Sequence, residues 1–271
     1  MLKFTGSSDI KHFVKQVFTE QGRMTGQVVV DIPAGRGVIS NVLMELGADV
    51  RSYDLFPEFF DVAGIDCAEA DLTSQLPIED GIADVVLCQE GIEHIPDQIS
   101  MLRELNRITK LGGKLIITTP NISHLRARFS YFLTESELWK RMPPNELDAV
   151  WHAESGKRYY GHIFLINIQK LRVLCEISGF RIKRVNKVKA SLGSLFLSFW
   201  YPLIFLVNSW SYIKNISKSD GLDRDEKKRV YGEIFKLNVH PTILFGRHLF
   251  LELEKVSEST DMEIHVNERR S

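Results

Sequence analysis

Five groups of residues in this chain stand where chemistry is ordinarily done, at the ends of apolar runs. The first is Asp31-Ile32-Pro33-Ala34-Gly35-Arg36-Gly37, directly behind Val28-Val29-Val30. Glycines after a buried strand let the backbone turn tightly and approach a ligand closely. A helix that follows such a turn offers free N–H groups and the positive end of its dipole, so a polar or anionic ligand group belongs there. The second is Asp54, which closes Val50-Arg51-Ser52-Tyr53. It comes roughly 20 residues after the glycine turn, where an acid can hydrogen-bond both hydroxyls of a ribose. The third is Ala70-Asp71-Leu72. The fourth is the run at 84–96, Asp-Val-Val-Leu-Cys-Gln-Glu-Gly-Ile-Glu-His-Ile-Pro. It contains His94, and histidine is the side chain best suited to take a proton near neutral pH. The fifth joins Leu111-Gly112-Gly113-Lys114-Leu115 to Thr119-Pro120-Asn121.

The glycine turn alone fits two cofactor classes. A dinucleotide site wants G-x-G-x-x-G. With Gly35 and Gly37 as its first two glycines, the third place holds Ser40, so that pattern is broken. The other pattern is an acid at the strand end followed by G-x-G, which Asp31, Gly35 and Gly37 supply. The five groups, in this order, resemble the class I S-adenosylmethionine-dependent methyltransferases. The turn resembles their D-x-G-x-G-x-G motif, with Pro33 in the first glycine place. Proline fits there only if that residue does not need a positive φ.

The resemblance implies S-adenosyl-L-methionine as cofactor. It implies a cofactor site of Asp31, Ala34, Gly35 and Gly37 at the turn, and of Asp54 and Leu55 at the ribose. Asp71 then accepts from the adenine amino group, Leu72 packs on the adenine face, and Gln89 or Glu90 lies beside the methionine end. The 84–96 run resembles the corresponding segment of quinone and small-molecule O-methyltransferases, and the Leu111 step resembles their glycine-glycine turn with leucine in place of proline. Methyl transfer is a displacement at a sulfonium, in which the protein aligns the reactants and removes water. His94 is the first candidate for a base; the alternatives are that it packs the following helix start, or that no base is used. His152 and His162 are weaker candidates. No metal-ligand cluster stands out, and no metal is expected.

The elements that position these groups follow from periodicity. Asp9–Glu20 reads as an amphipathic helix with Ser8 or Asp9 as its cap. Strands are expected at 27–32, 49–53, 83–88, 114–118, 180–188 and 248–253. Helices are expected at 38–46 with Gly47 as C-terminal glycine, at 99–109, and ending at Ser178 with Gly179 behind it. Alternating strands and helices give an α/β, doubly wound, mostly parallel sheet; the resemblance makes it seven-stranded and Rossmann-like. A single domain over residues 1–255 is expected, followed by a polar, loosely ordered tail at 256–271.

Two insertions break the alternation, at about 121–161 and 190–246. The first follows a strand end and can close as a lid. Its aromatics and cations suit a ring or an anionic group, with Asn121, Arg126, Trp151, His152, Tyr160 and His162 as candidate substrate contacts. The second holds Ser191–Ile213, which has no charged residue. By length it could cross a bilayer, but the last strand must return to the sheet, Pro202 interrupts the segment, and Asn208 is costly in lipid. A helix or bent pair lying in the interface of the cytoplasmic membrane face is the preferred expectation, flanked by lysines and arginines that favour anionic lipid. A buried core helix or a homodimer contact is the alternative. A membrane location implies a lipid-linked acceptor. Two families compete for it. Thr119-Pro120-Asn121 with the following arginines resembles methyltransferases of cell-surface sugar assembly, and Glu93-His94 resembles quinone-precursor O-methyltransferases; the sugar acceptor is placed first. A non-catalytic scaffold on the same fold is the rival of another class.

Bulk composition narrows the field. The chain has 271 residues, 44% hydrophobic and 25% charged, with a net charge of −1. That balance is ordinary for a globular protein and lacks the basic excess of a nucleic-acid binder. Cys67, Cys88 and Cys175 form no CxxC pair, which disfavours disulfides and zinc. The segment Met1–Asp9 shows no apolar run behind a charged head, so a cytoplasmic protein is expected.

Overall fold

The computed structural model describes residues 8–147, 149–152, 156–218 and 223–259. Its central sheet has seven strands. These are β1 (Val28–Asp31), β2 (Asp49–Asp54), β3 (Cys67–Glu69), β4 (Ala83–Gln89), β5 (Thr109–Pro120), β8 (Phe180–Val185) and β9 (His248–Lys255), in the order β3-β2-β1-β4-β5-β9-β8. A separate hairpin pairs β6 (Val150–His152) with β7 (Arg158–Tyr160).

Alternation along the strands divides the core into two layers, because successive side chains point to opposite faces. Val29, Val85, Leu87, Ile116 and Phe250 meet Ile10, Val14 and Phe18 of helix α1 (Ser8–Gln21) and Ile39 and Leu43 of α2 (Val38–Glu45). Val30, Val86, Leu115, Ile117 and Leu251 face the other way. They meet Met101, Leu102 and Leu105 of α3 (Gln98–Ile108) and Leu171 and Cys175 of α5 (Ile168–Ile177). Strands buried on both faces explain the unbroken valine run at Val28–Val30.

Strands β1 to β5 are parallel, β9 is antiparallel to β5, and β8 is antiparallel to β9. β8 therefore runs parallel to β5, and the C-terminal ends of β1, β2, β4, β5 and β8 share one edge. β9 starts on that edge, with His248 opposite Pro120. Both insertions begin at or beyond that edge; the second returns to the sheet there at His248, while the first leads into α5. Ligands bind at this edge in open α/β sheets.

The structure corrects four expectations. β5 begins at Thr109, ahead of the Gly112-Gly113 step, and pairing jumps from Ala83↔Thr109 to Val85↔Lys114, so 110–113 bulge out of the strand. A Cβ at Gly113 would sit 2.8 Å from the Lys110 carbonyl oxygen, which explains the glycine. The first insertion contains α4 (Leu125–Thr134) and the β6–β7 hairpin. In the second, α6 (Leu192–Phe196), a 3₁₀ turn (Leu197–Trp200) and α7 (Tyr201–Ile216) form one helical run of 25 residues. Pro202 does not interrupt that run. It falls in the first turn of α7, where a proline costs no hydrogen bond. The run is followed by α8 (Arg224–Asn238) and α9 (Pro241–Phe245). Finally, the chain beyond 255 is tied down as far as Ser259. Val256 N–H donates to the Gly179 carbonyl at 2.9 Å, and Ser259 N–H to Asn106 Oδ1 at 3.1 Å. The rest of the expected tail lies outside the described residues.

Candidate active site

The turn after β1 is held open by its own backbone. Ala34 N–H donates to the Tyr53 carbonyl at 2.9 Å, and Gly37 N–H to the Ala34 carbonyl at 3.0 Å. Asp54, buried at the end of β2, stitches the turn to the next loop: Oδ2 accepts from Gly35 N–H at 2.7 Å and Oδ1 from Phe56 N–H at 2.8 Å. Gly35 (φ +57°) and Gly37 (φ +76°) are both left-handed. A Cβ at Gly37 would collide with Val62 and Phe60, whereas one at Gly35 would meet nothing within 4 Å. Space for a ligand therefore lies above Gly35.

Asp31 lies beneath the turn, almost fully buried. Its Oδ2 accepts from Ser40 Oγ–H at 2.6 Å, and Ser40 accepts in turn from Ser52 at 3.0 Å. Burial pushes the Asp31 carboxyl up to about 7, against the pull of the Ser40 hydrogen bond and with a further push from Asp54. The residue that breaks the dinucleotide pattern thus satisfies the acid of the other pattern.

The ends of β4 and β5 carry the second half of the site. Gln89 is buried, and its Nε2 has no partner. Glu90 is a non-glycine residue in the left-handed region (φ +52°), fixed by its N–H to the Thr118 carbonyl at 3.0 Å. Such conformations persist at sites that over-determine them. Thr118 Oγ–H donates to Glu90 Oε1 at 3.0 Å, and Thr119 Oγ–H to Glu93 Oε2 at 2.9 Å. Glu93 Oε1 is buried without a hydrogen bond, 4.0 Å from His94 Nε2. Burial raises both carboxyls, Glu93 further through its neighbour Glu90.

His94 has a defined tautomer. Its Nδ1 lies 2.6 Å from the Tyr160 carbonyl oxygen, which can only accept, so Nδ1 carries the hydrogen. Nε2 then accepts from the Tyr159 hydroxyl at 2.8 Å. Burial, then the neighbouring His162, push His94 down to about 4, so the ring is neutral at neutral pH.

The hairpin that supplies Tyr159 and Tyr160 straps the site closed. Lys157 Nζ donates to the Leu55 carbonyl at 2.7 Å, pairs with Glu69 at 2.9 Å, and lies 5.6 Å from the centre of the Phe56 ring. The Tyr159 ring meets Phe56 edge-on at 6.3 Å.

Most of the expected site residues converge here, with some corrections. Asp71 spends Oδ1 on Thr73, accepting from both its N–H and its hydroxyl at 2.8 Å, while Leu72 is buried beside it. Tyr160 and His162 reach His94, through a carbonyl and through ring contact at 5.1 Å. Asn121 does not face a ligand: it is buried, its amide donates to the Ile243 and Gly246 carbonyls at 2.8 Å, and its oxygen accepts from Ser123 N–H. Arg126 lies against Gly193, at the contact between α4 and α6. Trp151 is 41% exposed on the hairpin, opposite Tyr159. His152 pairs through its backbone with Arg158, and its side chain lies outside the described residues.

Sequence reasoning gave no site role to Tyr159, Glu93 or His248. His248 Nε2 lies 3.7 Å from Glu90 Oε2. The ligand atoms of Glu93, His94 and His162 fall within 4.8 Å of one another and could hold a divalent cation. Spacing gave no sign of this cluster, because His162 arrives from the far end of the lid.

The chain's own residues fit the cofactor that the sequence implies. Asp54 keeps free lone pairs for hydroxyl donors beyond its two backbone bonds. The space over Gly35 and the unpartnered Gln89 amide supply room and a donor at one sheet edge. The strand order, the glycine turn and these groups together give the Rossmann-like fold and cofactor edge of the class I S-adenosylmethionine-dependent methyltransferases.

Comparison with known proteins agrees. Residues 30–117 match the family model described as a methyltransferase domain. The chain is 31% identical over 130 residues to the ubiquinone biosynthesis O-methyltransferase of Xanthomonas oryzae pv. oryzae, covering 45% of this chain and 54% of that one. It is 32% identical over 133 residues to the enzyme of the same name from Xanthomonas euvesicatoria pv. vesicatoria. The chain spans about half the length of the curated relatives it matches. In fold it is similar to the YcgJ protein of Bacillus subtilis, with a TM-score of 0.53 at 13% identity over 91% of this chain and 99% of that one. It is also similar to a provisional methyltransferase from Bacillus halodurans, with a TM-score of 0.51 at 15% identity over 89% and 98%.

Proposed function

We propose that this protein transfers the methyl group of S-adenosylmethionine to a phenolic hydroxyl of a small acceptor of the quinone-precursor type. One observation carries the reading. A neutral His94 ring, locked by the Tyr160 carbonyl, already holds a phenolic oxygen, that of Tyr159, 2.8 Å from its free Nε2. An acceptor phenol that displaces Tyr159 inherits the same contact. The Xanthomonas relatives support the same acceptor class. The sugar acceptor, placed first on sequence, takes second place. Asn121, at the step it leaned on, spends its amide within the protein, and the Arg126 stem lies along Gly193 of α6.

The bound cofactor supplies an electrophilic methyl on a sulfonium. The protein's part is alignment, dryness and one proton. Asp54 and the Gly35 turn fix the nucleoside side, and the Gln89 amide is a free donor at the other end of the cleft. The hairpin shuts out water, which strengthens every charge interaction within. A phenol that takes a methyl in exchange for the broken sulfonium carbon–sulfur bond would release its proton, and His94 Nε2 is placed to accept it although burial has lowered its basicity. Glu93 Oε1 lies 4.0 Å from the same nitrogen, held by the Thr119 hydroxyl on its other oxygen.

The test is transfer of label from methyl-labelled S-adenosylmethionine to a substituted catechol. Wild type is expected to label the catechol. His94→Gln is expected to lower turnover by about 10²- to 10⁴-fold while S-adenosylhomocysteine binds within a few-fold of wild type. Label passing only into sugar, or full turnover in the variant, refutes the assignment.

A further inference from the structure

The helical run Leu192–Ile216 is apolar on two faces, and only one of them is covered. The inner face lies on α8, which returns antiparallel along it: Asn238 Nδ2 donates to Asn208 Oδ1 at 2.8 Å, and Phe235 meets both Phe205 and Tyr212. Asn208, costly in lipid, is thus spent on the protein side. The opposite stripe is Leu203, Leu206, Val207, Trp210 and Ile213, spaced to share one side of a helix. All five are exposed, Leu206 and Trp210 at 64%. Phe196 of α6 and Phe132 of α4 are exposed as well, and the start of α4 meets α6 through His124 Nδ1 and Ser194 Oγ at 2.8 Å. A soluble monomer rarely leaves so continuous an apolar surface open.

We infer that this surface docks in the headgroup interface of an anionic phospholipid bilayer, with the helix lying along the membrane. Charge selects lipid of that sign. From Asn186 to Lys218 there are four lysines and no acid, and of the four Lys189 pairs with Asp9 of α1 at 2.8 Å. Lys214 sits at the rim of the stripe, its Nζ 4.9 Å from the centre of the Trp210 ring. Tryptophan beside lysine is the arrangement that suits a headgroup layer. At about 1.5 Å per residue the run could reach across a bilayer, but crossing would draw the heavily charged α8 into hydrocarbon along with it. Lying flat leaves α8 in water. The insertion sprouts from the same sheet edge as His94, so docking presents the active-site edge to the membrane and admits an acceptor that partitions into lipid. This surface stands on the helix alone and does not depend on the methyl-transfer reading.

The test is flotation of the full chain with phosphatidylcholine vesicles, with and without phosphatidylglycerol. It is run on wild type and on the double variant Leu206→Glu, Trp210→Glu, with size-exclusion chromatography alongside. Wild type is expected to float with the phosphatidylglycerol vesicles, and the variant to partition about tenfold less or weaker. S-adenosylhomocysteine affinity is expected to be equal in both, which separates loss of docking from loss of fold or of cofactor binding. Equal flotation without phosphatidylglycerol overturns the anionic assignment. A wild-type dimer that the variant dissolves, with neither protein floating, assigns the surface to a second copy of this chain and overturns the proposal.

Discussion

Replacing Asp31 by asparagine isolates the cost of keeping that carboxyl in the core. An aspartate titrates ordinarily near about 3.9, and burial beneath the glycine turn lifts Asp31 to about 7. The difference corresponds to roughly 4 kcal/mol between its two protonation states. Because the folded value is the higher one, this contribution to stability is fully present below about pH 4 and is lost as pH rises through about 7. Between pH 5 and pH 8 the wild type should lose about 3 kcal/mol from this group. Asparagine keeps an oxygen for the Ser40 hydroxyl but cannot ionise. Its extra amide hydrogens find no partner, at a penalty of about 1–3 kcal/mol that does not depend on pH. The assay is urea unfolding of both proteins from pH 5 to pH 8. The variant should start less stable and draw level with, or pass, the wild type near pH 8. Glu90 and Glu93 titrate in both proteins, so their effect cancels in the difference. A stability difference that stays constant over this range refutes the burial argument for Asp31.

Two further substitutions address the cofactor turn. Gly37→Ala places a methyl on Val62 and Phe60 at φ +76° and should cost about 1–3 kcal/mol of stability, read by thermal unfolding. A melting temperature equal to wild type would show that the 60–62 loop yields freely. Asp54→Ala strips the acceptor from Gly35 N–H and Phe56 N–H and should weaken S-adenosylhomocysteine binding about tenfold or more in calorimetry, with Asp54→Asn intermediate. Unchanged affinity would remove Asp54 from the ribose.

The sheet was largely legible in the sequence because its strands are buried on both faces and read as valine and isoleucine runs between glycine breaks. β3 was not, because a three-residue edge strand carries no periodicity. The Gly112-Gly113 step was read as a turn ahead of a strand starting at 114, whereas the strand starts at Thr109, bulges at 110–113 and resumes its register. The acids and glycines of the cofactor turn were legible because local backbone geometry demands them. Tyr159 was not assigned, because its meeting with His94 depends on how the hairpin folds back, which spacing along the chain does not encode. Asn121 and Arg126 were misread for the converse reason. They sit next to the site in sequence, yet the second insertion arrives beside them, taking up the Asn121 amide and the Arg126 backbone N–H. The apolar character of Ser191–Ile213 was plain, and the structure adds which side of it is covered.

Among the described residues β9 comes latest of the seven strands in the chain, yet it occupies the sixth of seven places in the sheet, between β5 and β8. Until His248–Lys255 leaves the ribosome, β5 and β8 each present an unpaired edge and Phe250 is missing from the core. The long apolar run emerges earlier than the strand that completes the sheet. An unfinished chain therefore combines open strand edges with an exposed greasy helix, the combination most prone to aggregate. No N-terminal fragment ending before residue 248 should form a stable unit, because β5 and β8 then lack the strand that joins them.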